Sequence, residues 1–124
     1  MGKSVHNDVL DAALTYVQDN CNKLAVCNAE PTSYTQANVT YSLANEVMTS
    51  GDFTIADGDV SGRKVAVDQK AGITVDADGT ASHVALLDTT NSKLLYVTTT
   101  PSQGVVTGAQ LTVGTWDIEI EDPA

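Results

Sequence analysis

Positive charge is scarce in this chain: Lys and Arg number 6 against 16 Asp and Glu, a formal net charge of -10. A surface with that balance repels phosphate backbones and anionic headgroups, so nucleic acid and acidic membranes are excluded as expected partners. Aromatic residues make up only 5% of the 124 residues, with a single Trp and a single Phe. The core must therefore come from Val, Leu, Ile and Ala. Such a core is thin, and self-association is an expected source of added stability. Long apolar runs are missing as well, and none approaches the roughly 18 residues of a membrane span. The opening stretch from Met1 to Asp8 turns polar too early for a signal peptide. Folding in the cytoplasm is the expectation, and there the only two cysteines, Cys21 and Cys27, stay reduced. Their spacing is too wide for a zinc ligand pair, and no second pair exists.

Histidine is just as rare. His6 lies near the N-terminus and His83 sits within a strand pattern, whereas nucleophilic catalysis needs a base beside an activated Ser or Cys. No dinucleotide-binding glycine motif, P-loop or nucleophile elbow accompanies them. Neither an enzyme nor a cofactor is expected.

What the chain does have is strand pattern. Asp78-Gly79 is a type I′ turn signal, and closing on it pairs Val75 with Ser82 and Ile73 with Val84. A second turn over Thr89 to Ser92 places Asp88 opposite Lys93, Leu86 opposite Leu95 and Val84 opposite Val97. Side chains alternate with period two. Ile73, Val75, Val84, Leu86, Leu95 and Val97 would then share one face of a three-stranded meander. Before it, residues 63–69 alternate well. After it, residues 98–101 leave the sheet at Pro101, since proline cannot donate to a ladder. Residues 115–120 put Trp116, Ile118 and Ile120 inward and Asp117 and Glu119 outward, with Glu121 beyond. A one-residue slip there would bury carboxylates. Shorter extended pieces are predicted at 23–28, 42–48, 53–55 and 110–113, with a loop over 29–38.

One helix precedes the strands. Asn7 or Asp8 can cap it, and Val9, Leu10, Ala13, Leu14 and Val17 recur at helical spacing before Asp19-Asn20 stops it. Amphipathicity cannot tell whose surface the helix covers; its own sheet is the simpler expectation. The sum is a mainly β single domain, 1–124, with an N-terminal arm and helix over 1–20 and a β body over 21–124. A small antiparallel sandwich or barrel of roughly eight strands fits that order.

Two acidic groupings have chemical possibilities. Asp57, Asp59 and Ser61 stand at positions one, three and five of a calcium-loop spacing, with Gly62 at six and Asp68 at twelve. Against a calcium-stabilised binding module stand the missing flanking helices and the presence of Arg63 and Lys64 inside the loop. Aspartate, glycine and serine also suit any tight turn. Glu119 and Glu121 could share a proton on one strand face, but an acidic edge that discourages aggregation accounts for them more simply.

Several segments together resemble small structural proteins of tailed bacteriophages and prophages. They are His-Asn-Asp-Val-Leu-Asp-Ala-Ala-Leu at 6–14, Val-Cys-Asn-Ala-Glu-Pro-Thr-Ser-Tyr at 26–34, and Tyr-Ser-Leu at 41–43. Further on come Asp-Gly-Asp-Val-Ser-Gly-Arg-Lys-Val at 57–65, Gly-Thr-Ala-Ser-His-Val-Ala at 79–85, Asn-Ser at 91–92 and Trp-Asp-Ile-Glu-Ile-Glu-Asp-Pro at 116–123. The resemblance implies a virion component without catalytic residues. It implies most directly a decoration, or cement, protein on the capsid surface, assembled in the host cytoplasm. Such a protein would be a homo-oligomer, a trimer by preference, bound to the major capsid protein. A tail or fibre component is the alternative. Val9, Leu10 and Leu14 of the helix and Tyr34 of the loop at 29–40 are the candidate contacts.

Overall fold

The computed structural model describes residues 3–123. Helix α1 spans Asn7–Asn20. Its cap is His6, one residue ahead of the expected positions: the imidazole Nδ1 accepts the backbone N–H of Asp8 at 3.0 Å. Asp8 sits in the first turn, where the helix dipole favours a negative charge. At the other end the Cys21 N–H reaches the Val17 carbonyl at 2.9 Å and the chain turns extended.

Among the described residues nine strands follow: β1 (Lys23–Cys27), β2 (Ser42–Val47), β3 (Phe53–Asp57), β4 (Arg63–Val67), β5 (Lys70–Thr74), β6 (Gly79–Asp88), β7 (Lys93–Val105), β8 (Gln110–Val113) and β9 (Trp116–Ile120). All named pairs are antiparallel. One sheet has the order β2-β1-β6-β7, a second β3-β4-β9, and β5 pairs with β8. An Ala44–Val75 bridge ties the β5–β8 ribbon to β2. The expected mainly β fold with one N-terminal helix is what the chain forms.

Alternation along β1 and β6 decides where the core lies. Leu24, Val26, Val84 and Leu86 face Phe53 of β3, Val65 and Val67 of β4 and Ile118 of β9 in one buried cluster. Leu14 of α1 is 1% exposed and belongs to that same cluster. Ala25, Cys27, Ala85 and Leu87 point the other way and form a second, smaller cluster. A loop containing the π-helical turn Gln36–Thr40 covers it with Ala37, Tyr34 and Tyr41. The four-stranded sheet is thus apolar on both faces.

The expected tandem meander forms only in part. β5 pairs with β8, so Ile73 lies opposite Leu111 and not Val84. A type I′ turn needs positive φ, and Gly79 is not among the positive-φ residues. Glycine is favoured there by a neighbour: a Cβ would come within 2.9 Å of Leu43 Cδ2 and force that buried side chain to shift. The Asp78 carboxylate accepts the Thr107 N–H at 2.6 Å, and that bond with the Thr107 hydroxyl holds its pKa below the ordinary range.

The second hairpin forms with Asp88 opposite Lys93. Asp88 is buried, and its carboxylate accepts from Asn91 Nδ2 at 2.8 Å and from the Thr90 and Asn91 N–H groups. A bulge then changes the register, so Leu86 faces Tyr96 and Leu87 faces Leu94. With the extra residue, Leu95 packs on the main core as expected, while Val97 crosses to the smaller cluster. β7 also runs through Pro101 to Val105. It is an edge strand, where a missing N–H on the outer side costs no ladder bond.

Candidate functional site

The Asp57–Gly62 segment is the turn of the β3–β4 hairpin. Its register pairs Asp57 with Arg63 and Phe53 with Val67, and the Asp68 N–H bonds the Asp52 carbonyl at the far end. Five strand steps separate Asp52 from Asp57, roughly 17 Å at strand rise. Asp68 therefore cannot share a cation with Asp57, and the twelve-residue spacing is that of a hairpin. Gly62, with φ +68, is held where a Cβ would strike the Ile120 carbonyl oxygen.

The remaining acids of that turn are already engaged. Arg63 Nη1 holds Asp57 at 2.6 Å and its Nε holds Asp11 of α1 at 2.8 Å. Lys64 Nζ holds Asp59 at 2.6 Å and Asp117 at 3.5 Å. The bond from Lys64 lowers the Asp59 pKa, and the same bond raises that of Lys64. Ser61 Oγ accepts the Asp122 N–H at 3.1 Å. Among the described residues, no group of three or more His, Cys, Asp and Glu is placed to hold a metal ion. The melting temperature is expected to be the same in chelator and in millimolar calcium; a rise on adding calcium would restore the metal site.

Glu119 is more than a solvated edge acid. Its carboxylate accepts the backbone N–H groups of Asp59 and Val60, pinning the hairpin turn to β9. Glu121 is exposed, and the Glu119 bonds give that carboxylate a structural task. His83 is half-buried, with its ring Nδ1 2.8 Å from Ser82 Oγ. Cys21 and Cys27 are free and buried, and burial raises both thiols to about 11. Thiols held protonated at neutral pH are poor nucleophiles.

The candidate contact residues separate. Leu14 is in the core and Leu10 is 7% exposed, so neither is free to touch a partner. Tyr34 packs against the smaller cluster under its own loop. Tyr34 keeps a partly exposed ring, and Val9, at 62% exposure, is the candidate most open to solvent. The single helical stripe expected from the sequence is in fact two adjacent stripes. At 3.6 residues per turn, Leu10, Leu14 and Val17 point toward β3 and β4, while Val9, Ala13 and Tyr16 lie about a quarter turn away. Val9, Ala12, Ala13 and Tyr16 are all exposed. Tyr16, 43% exposed, is held in place by Lys93: Nζ donates to its hydroxyl at 3.0 Å and lies 5.6 Å from the ring centre. Its spacing of seven from Val9 was the signal that could have found it.

The helix is thus built into the body rather than forming an arm beside it. Asp11 ties it to Arg63, and Gln18 Nε2 donates to the Phe53 carbonyl at 3.1 Å. Among the described residues, no helix is long and apolar enough to cross a membrane. Comparison with protein-family models, with curated proteins and with solved structures finds no match to this chain.

Proposed function

We propose that the chain is a non-enzymatic structural protein of a tailed-phage virion that decorates the capsid, bound to the major capsid protein as a homo-oligomer, a trimer by preference. The observation that carries this reading is the outer face of α1. Its inner side is anchored in the core, and its outer side presents Val9, Ala12, Ala13 and Tyr16 to solvent. An exposed apolar stripe on a fixed helix is suited to sticking to another subunit.

Charge supports the same reading. Lys23, Arg63, Lys64, Lys70 and Lys93 each hold a polar partner within the chain: Asn38, Asp11 with Asp57, Asp59 with Asp117, Asp52 and Tyr16. Few cations remain to meet phosphate, which suits the outside of a DNA-filled shell.

The test uses the full chain carrying Val9→Glu and Tyr16→Glu together, mixed with shells that lack the protein. Both positions are exposed, so the variant is expected to keep its fold while losing co-sedimentation with the shells. Undiminished binding by a folded variant would overturn the reading. Sedimentation with isolated tails instead of shells would move the same adhesive role to a tail or fibre component.

A further inference from the structure

We infer that the cleft between the free edges of β7 and β9 is a binding site for a neutral saccharide. Each of these strands is the last of its sheet, and residues of both, with the β8–β9 corner, line an open cleft of about 510 Å3. That volume lies within the range of about 300–1,000 Å3 usual for small-molecule sites. The inference does not depend on where in a particle the protein sits.

Two free edges invite an added β-strand from a partner, but the β7 edge is poorly made for it. Between the paired residues Thr99 and Gln103 the strand takes four steps against two on β6. Pro101, which has no N–H, falls inside that irregularity. Bulges and proline blunt an edge against pairing. Recognition in the cleft falls to side chains.

Those side chains select by exclusion. Thr98, Thr99, Thr100, Thr112 and Thr115 line the cleft. None of the five hydroxyls makes a hydrogen bond within the described residues, so all five are left to meet water or a ligand. An apolar ligand would strip water from these hydroxyls without replacing its bonds, which is costly. The charged group on the wall, Asp117, already has Lys64 at 3.5 Å. An anion would find no free cation there, and a cation only a partnered carboxylate.

Trp116 supplies the apolar component. It stacks on Tyr96 with ring centres 5.8 Å apart. Its Nε1 is shielded from solvent and has no acceptor among the described residues, so the side chain can offer a ligand only carbon. An uncharged ligand with many hydroxyls and an apolar C–H face matches hydroxyls beside an indole.

Trp116 is the single tryptophan of the chain, so its emission reports on the cleft directly. The full chain is titrated with cellobiose, lactose, maltose and chitobiose, with glucuronate as the charged counterpart, and saturation-transfer NMR is recorded on the same samples. At least one neutral disaccharide is expected to shift the emission saturably and to show transfer, while glucuronate does neither. Thr98→Val with Thr115→Val keeps side-chain shape and is expected to weaken that binding roughly tenfold, the size of one or two lost hydrogen bonds. Three results would each overturn the inference: a panel silent at tens of millimolar, an equal response to glucuronate, or unchanged binding by the folded double variant.

Discussion

Leu14→Ala is expected to lower stability by about 2–5 kcal/mol, the range for emptying a leucine site in a packed core, and Val9→Ala by no more than about 0.5 kcal/mol. The two residues are five apart on one helix, and both read as apolar positions of one stripe. Leu14 is 1% exposed among β-strand side chains, whereas Val9 is 62% exposed. Helix propensity adds little to the contrast, since valine to alanine is mildly favourable in a helix. Urea unfolding of the two variants measures the difference. Equal, small effects would mean that the helix is a detachable arm, and that the sheets hold together without it.

Stability is expected to fall steeply between pH 9 and pH 10.5, by about 3 kcal/mol over that range, with both buried cysteines acting independently. Burial raises Cys21 and Cys27 from 9.0 to about 11. Above pH 9 the unfolded chain releases these protons while the folded chain retains them. The unfolded state then binds fewer protons, and the slope of stability against pH is negative. Lys64 and Lys93 contribute little to this window. Their pKa values are raised above 10.5 by Asp59 and by Tyr16, so the stability they add is present below 10.5 and is lost only as pH climbs beyond it. At the acid end the sign reverses: Asp59, Asp78 and Asp88 are depressed below 3.8 by Lys64, Thr107 and Asn91 respectively. Their contribution is complete above 3.8 and disappears as pH falls through the depressed values. Urea midpoints from pH 8 to 10.5 test the alkaline limb, with the Cys21→Ala, Cys27→Ala double variant as control. The variant is expected to start less stable and to stay nearly flat; a wild-type curve that is equally flat would show that the thiols are not held protonated.

Local pattern carried much of the fold. The helix limits, β4 and β9 could be read because a period and a stop signal coincide in each, β1 because a short apolar run ends in polar residues and Pro31, and β9 is held by acids that a slip would bury. Legibility ended where the reason for a residue lies across the fold. Asp78-Gly79 has the composition of a hairpin turn, yet Gly79 answers to Leu43 and Asp78 to Thr107. Pro101 reads as a strand end, and only the edge position of β7 explains why the strand continues. The Leu95 bulge reverses the facing of Val97 without any sequence mark. The residues at 29–40 show no period because they cover the outer face of a sheet through Ala37, Tyr34 and Tyr41.

The candidate site was less legible still. A calcium-loop spacing and a hairpin turn select the same residue types, and pairing of β3 with β4 is what separates Asp68 from Asp57. Val9 and Leu10 are neighbours in one apolar run, and the helix rotation that hides one and exposes the other is set by Arg63 on Asp11 and by Leu14 in the core. The cleft was beyond sequence reasoning, because its walls come from the edges of two different sheets.

The proposed role is tested most directly by the amount of this protein in purified particles, measured by quantitative mass spectrometry against the major capsid protein. A decorating protein that joins neighbouring subunits should be present in proportion to the shell, in hundreds of copies per particle. A quantity that instead follows the tail components, a small fraction of the shell protein, would contradict it.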